Sequence, residues 1–120
     1  MIPKQYRLKN KYAFKATYKV CNSSHKGGVT LYIGKPKSIP DVVTKVGFVV
    51  SKKVHKRAVK RNRLKRLMRE SYRILLKENN LGFSQDYQSL IFIGNSFALE
   101  KNFKTIKNNM ELLLKGIKHV

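Results

Sequence analysis

Apolar residues recur along the chain with two distinct periods, and these divide it into strands and helices. Val29-Thr-Leu-Tyr-Ile33 alternates, with Val29, Leu31 and Ile33 on one face and Thr30 and Tyr32 on the other. That is the period-2 pattern of a strand with one buried face. Val46-Gly-Phe-Val-Val50 repeats it with Val46, Phe48 and Val50. Leu90-Ile-Phe-Ile93 is short, β-branched and aromatic, which suits a strand in the interior of a sheet.

Three other stretches carry helical spacing. The first begins behind Asn10, a good N-cap, and runs to about Val20. On it Phe14 and Tyr18 are neighbours one turn apart with Cys21 on the same side, while Ala13, Ala16 and Val20 form a separate face, the one expected to be buried. The second covers roughly residues 56–78, where Leu64, Leu67, Met68, Ile74 and Leu75 make one stripe. Lys65, Arg66, Arg69 and Arg73, with Asn62, fall opposite it. The third begins near Leu99 and aligns Phe103, Ile106, Met110, Leu113, Leu114 and Ile117, with Leu112 off the stripe.

Segments 22–28, 34–44 (with Pro36 and Pro40), 79–86 and 94–98 read as loops. None is long enough to be a linker between domains, so residues 1–120 are expected to form a single domain. The predicted order is α-β-β-α-β-α, with room for an extra strand. The class is α+β, a compact two-layer sandwich of a sheet and the helices packed on it.

Charge changes this picture from a fold to a partner. Lys and Arg total 27 against 6 acidic residues, a net charge of +21. A compact body carrying that charge repels itself unless a polyanion neutralises it, and nucleic acid is the leading candidate. No apolar run approaches the ~20 residues that span a bilayer, so no membrane role is expected. Residues 1–10 contain Lys4, Arg7 and Lys9 but no apolar signal core, and there is one cysteine, Cys21, read as a small packing residue. A reducing cytoplasm is the expected compartment.

The charge is concentrated. From Lys52 to Arg73 there are eleven Lys or Arg residues and one acid, Glu70. A solvated helix face normally mixes signs, because opposite charges four residues apart stabilise it and like charges do the reverse. Arg61/Lys65, Lys65/Arg69 and Arg69/Arg73 are all like-charge pairs at that spacing. A helix tolerates such repulsion when phosphates lie along it.

The same segment carries a resemblance. Val46-Gly-Phe-Val-Val-Ser-Lys-Lys53, a basic loop, and then Lys60-Arg-Asn-Arg-Leu-Lys-Arg-Leu-Met-Arg-Glu-Ser-Tyr-Arg73 resembles the signature of the bacterial ribonuclease P protein subunit. Upstream, Tyr6-Arg-Leu-Lys-Asn10 with Phe14 and Tyr18 resembles the family's opening helix. The loop 54–59 lacks the Gly-Asn turn of many members, and Tyr18 stands where a Phe is frequent. The resemblance implies an α/β sandwich with a left-handed β-α-β crossover, an exception to the usual hand. It also implies a subunit that binds a large catalytic RNA and holds the 5′ leader of precursor tRNA, while the RNA hydrolyses the leader off with magnesium.

By that resemblance Lys52, Lys53, Arg61, Asn62, Arg63, Lys65, Arg66 and Arg69 contact the catalytic RNA. Guanidinium forks suit phosphate oxygens, and an amide can donate and accept at a ribose or base edge. Phe14, Tyr18 and Tyr32 are the expected platforms for unpaired leader bases, the competing reading of Phe14 being core packing. No catalytic residue and no metal ligand is expected from the protein: His25, His55 and His119 are scattered, and the acids form no close pair. Magnesium is expected in the holoenzyme, held mainly by RNA, with no obligate protein partner. The competing class is a ribosomal or chaperone-like RNA-binding protein. A DNA architectural role would need a duplex-reading motif, which is missing from the sequence.

Overall fold

The computed structural model describes residues 3–39 and 41–118; Pro40 of the predicted 34–44 loop and His119 lie outside them. Its order is α1 (Lys11–Lys19), β1 (Asn22–Lys26), β2 (Val29–Ile33), β3 (Lys45–Val49), α2 (Ala58–Lys77), β4 (Ser89–Gly94) and α3 (Phe103–Lys115), with short 3-10 turns at Lys4–Tyr6, Ser84–Asp86 and Ser96–Ala98. The four strands form one mixed sheet in the order β1-β2-β4-β3. β2 is antiparallel to β1 and β4, and β3 is parallel to β4 through the crossover helix α2.

The extra strand is β1, in a segment the sequence assigned to a loop. Asn22-Ser-Ser-His-Lys26 has no apolar residue and is exposed along its whole length, so no alternation marks it. It exists because Gly27 and Gly28, both at positive φ, turn the chain back onto β2. Two successive residues with φ above zero are what a two-residue hairpin turn demands, and glycine supplies them without steric cost.

Of the predicted inward set, Val29, Leu31, Ile33, Val46 and Val50 are buried and Phe48 is half-buried. Val29, Leu31, Val46, Val50, Leu90 and Phe92 are buried on one face. They pack with Leu64, Met68, Tyr72 and Leu75 of α2 and Ile106, Met110 and Leu114 of α3. Tyr72, absent from the predicted stripe, is among the largest fully buried side chains. It sits in an aromatic trio with Phe48 and Phe92, at centroid distances of 6.1 and 6.0 Å. Its hydroxyl accepts a hydrogen bond from Gln85 Nε2 at 3.1 Å, and burial pushes the phenol up to about 12. The third helix starts four residues later than Leu99, behind Asn102, whose side chain accepts from the Thr105 amide at 2.9 Å.

The other face of the sheet receives α1, where Ala13 and Val20 of the expected inward face are half-buried. Thr17 is buried, Phe14 and Tyr18 are half-buried, and Ala16 of the expected inward face is exposed. The Thr17 hydroxyl meets Ser89 Oγ at 2.5 Å and donates to the Ala13 carbonyl at 2.8 Å. A Cβ on Gly47 would stand 2.5 Å from Phe14 Cζ, so the glycine makes room for that ring. α1 therefore docks through residues 14, 17 and 18 because the sheet beneath offers a glycine, a serine and a tyrosine rather than bulky aliphatics. Cys21, read as a packing residue, is exposed at the end of the helix with φ of 59°.

Candidate nucleic-acid interface

The basic helix α2 is tied to the rest of the protein by two of its own arginines. Arg61 Nη1 donates to the carbonyls of His55 and Lys56, both at 2.7 Å. It thereby closes the loop that the missing Gly-Asn turn would otherwise shape. His55 Nδ1 accepts the Arg57 amide at 3.0 Å in the same loop. Arg63 reaches across to α3: Nη1 donates to Leu99 O at 2.8 Å and Nη2 to Lys101 O at 3.1 Å. Two of the six residues assigned to RNA on this helix thus spend donors on backbone carbonyls.

The remaining predicted residues face solvent differently. Asn62, Arg66 and Arg69 are exposed, Lys65 is half-buried, and Lys52 and Lys53 are exposed in the turn that follows β3. Arg69 Nε makes only a long contact, 3.5 Å, with the Lys65 carbonyl. Arg73, one turn further, is neutralised. Its guanidinium grips both oxygens of Glu70, and that hydrogen bond holds the Glu70 carboxyl below the usual carboxylate range. The acid interrupting the charge run is therefore matched to one arginine, and among the described residues neither Arg66 nor Arg69 forms an ion pair. Lys60 is 3.7 Å from Glu100, a pairing of exposed groups worth little.

The aromatic residues gather on the α1 face of the sheet. Tyr18 and Tyr32 meet edge to face with centroids 5.0 Å apart. Burial, together with Tyr32, raises the Tyr18 phenol. Phe14 lies one turn earlier, over β3. All three are half-buried, so each packs on the sheet and keeps part of its surface in solvent. Beyond α1, Thr30, Val49 and Ile93 of the same face are also only half-buried, and Asn95 Nδ2 donates to Thr30 Oγ1 at 3.3 Å.

Thr17 and Ser89, which fix α1 on the sheet, were missed by sequence reasoning. The signal that could have found Thr17 is its place between Phe14 and Tyr18 on one helical face. Among the described residues no three His, Cys, Asp or Glu side chains come together as a group that could hold a metal ion. No helix is long and apolar enough to cross a membrane among the same residues.

A mixed sheet backed by two helices, with an arginine face and half-buried aromatic rings on the opposite side, defines a small RNA-binding protein of the α+β class. The ribonuclease P family model matches residues 2–118. The ribonuclease P protein component of a Synechococcus strain is 32% identical over 115 residues, covering 95% of this chain and 83% of the relative. That of Clostridium kluyveri is 34% identical over 110 residues, covering 92% of both. Among solved structures, the Staphylococcus aureus RNase P protein superposes with a TM-score of 0.74 at 28% identity, covering 92% of this chain and 93% of that one. The Thermotoga maritima RNase P protein gives the same TM-score at 22% identity and speaks to the fold alone. The chain belongs to the ribonuclease P protein family, the protein component of an RNA-catalysed endoribonuclease.

Proposed function

We propose that the protein binds the catalytic RNA of ribonuclease P through the exposed side of α2 and the turn before it. It holds the 5′ leader of precursor tRNA against the aromatic face under α1. Lys52, Lys53, Asn62, Arg66 and Arg69 are the outward contacts, with Lys65 partly so. Arg61 and Arg63 act there mainly by fixing the helix and its loop. Phe14, Tyr18 and Tyr32 offer ring edges to unpaired leader bases, a sequence-tolerant way of holding a single strand. Magnesium is kept by the RNA, where two-metal hydrolysis would proceed, and the protein supplies charge and position. The protein works in the cytoplasm as a single domain without an obligate protein partner.

The observation that carries this reading is the arginine face of α2 in a chain of this family: Glu70 is given to Arg73, and among the described residues neither Arg66 nor Arg69 forms an ion pair. A ribosomal or chaperone-like role explains the charge equally but gives no account of the aromatic face. The test uses protein reconstituted with catalytic RNA, comparing wild type with the Phe14→Ala, Tyr18→Ala double variant. Precursor tRNA should bind about tenfold or more weakly to the variant holoenzyme. Mature tRNA and the catalytic RNA itself should bind almost as before. Equal weakening for precursor and mature tRNA by a variant that melts as wild type does removes the leader assignment.

A further inference from the structure

Phe97 is an exposed aromatic side chain with 66% of its surface open, and neither the basic helix nor the aromatic face under α1 accounts for it. A lone exposed ring needs no explanation. This one is fixed in place and furnished with a cation. It lies in the turn between β4 and α3, where the Asn95 amide donates to the Gly28 carbonyl at 2.8 Å and the Ala98 amide to Asn95 O at 2.9 Å. The turn presses on the β1–β2 hairpin so closely that a Cβ on Gly28 would stand 2.6 Å from the Ala98 nitrogen. Its far side is held by Arg63, whose guanidinium takes the carbonyls of Leu99 and Lys101. Lys101 Nζ stands 4.5 Å from the Phe97 ring centroid, a cation–π contact.

The turn also joins the two surfaces already described. Through Asn95 it touches Thr30 on the α1 face of the sheet, and through Arg63 it is bolted to the basic helix. A rigid ring with one face against a lysine and most of its surface in water has the form of a stacking platform. A platform of this form takes an unpaired base on the ring, with the ammonium in reach of the phosphate beside it. We infer that Phe97 and Lys101 form a further binding site for one unpaired nucleotide, at the junction of the leader surface and the catalytic-RNA surface. This site rests on the proposed ribonuclease P reading and adds to it a contact that Phe14, Tyr18 and Tyr32 do not make.

The chain has no tryptophan, so Phe97→Trp supplies a unique fluorescent ring at this position. Catalytic RNA is titrated into that variant first, followed by precursor or mature tRNA. Emission should fall on stacking, at the first step if the nucleotide belongs to the catalytic RNA and only with precursor if it belongs to the leader. Leu112→Trp, on the exposed side of α3, is the control and should keep its emission. Phe97→Ala should weaken binding of the same RNA by roughly tenfold without changing the melt of this surface position. Wild-type protein that fails to bind catalytic RNA at all would refute the underlying reading. A complex that assembles with undiminished emission, or that quenches both tryptophans alike, overturns the Phe97 site alone, as does Phe97→Ala binding as wild type does.

Discussion

Arg63 and Arg66 stand three residues apart in one motif, yet the structure gives them opposite work, and replacing each by alanine separates the two. Arg63 is half-buried and donates to Leu99 O and Lys101 O, carbonyls in the segment that leads to the N-cap of α3. A hydrogen bond from a charged donor contributes roughly 1.5–3 kcal/mol when its partner is left dry. Here Leu99 is buried and Lys101 half-buried, so water can replace only part of the loss. Arg63→Ala should therefore cost about 2 kcal/mol in all, near the lower bound for one such bond. At roughly 4 °C per kcal/mol for a chain of this size, the melt should drop by about 8 °C. Arg66 is exposed, so its truncation should leave the melt within about 1–2 °C, the range of surface substitutions. Affinity for catalytic RNA is then measured against salt, below both melting temperatures. Arg66→Ala should flatten the log–log slope by about 0.7–0.9, the share of one phosphate contact. Arg63→Ala should leave the slope nearly intact and shift the whole curve modestly. If Arg63→Ala melts with wild type and flattens the slope as Arg66→Ala does, both arginines are phosphate ligands and the strut between α2 and α3 is incidental.

Gly47→Ala should cost about 1–3 kcal/mol, because its methyl would overlap the Phe14 ring. Phe14→Leu in the same background should recover part of that in urea titrations, and no recovery would mean that Phe14 does not sit there. Tyr72, whose phenol is pushed up to about 12, favours the folded state at every pH below about 10, the ordinary tyrosine value, and loses that contribution as pH rises toward 12. Wild type should thus lose about 2–3 kcal/mol more than Tyr72→Phe between pH 9.5 and 12, and parallel stability curves for the two would contradict the burial argument. Purified protein freed of RNA should give no mature 5′ ends from precursor tRNA at any magnesium concentration, as judged by gel mapping. A correct cut by protein alone would put catalysis back on its side chains.

The parts of the fold that could be read from the sequence are those where one physical signal acts alone. α2 combines helical spacing with a run of like charges, and each signal survives without knowledge of the rest of the chain. The buried face of β2 follows from strict alternation, whereas in β3 Gly47 is buried and Phe48 only half-buried. β1 could not be found by alternation, since an edge strand with both faces wet needs no apolar residue; the Gly27-Gly28 pair was the usable signal. The face of α1 was only partly legible because helix burial is decided by what lies opposite. Ala13 and Ala16 are more apolar than Thr17, but the sheet presents Ser89, which rewards a hydroxyl, and Gly47, which admits a ring. The role of Arg63 was hidden for a similar reason: its acceptors lie 36 and 38 residues away in sequence.

The strand order β1-β2-β4-β3 has a bearing on how the chain comes together during synthesis. β4 is the last of these strands to be made, and it lies between β2 and β3. β3 pairs in a ladder with β4 alone, and β2 gains its second neighbour only when β4 arrives. Until residues 89–94 are available, β3 has no ladder and the aromatic trio lacks Phe92. The nascent chain up to that point is a hairpin, two helices and an unpaired apolar strand. Closure then waits on pairings distant in sequence, the slow kind. A single late strand thus acts as the clasp of the whole sheet, and truncation or stalling before it should leave a basic, sticky fragment rather than a smaller version of the fold.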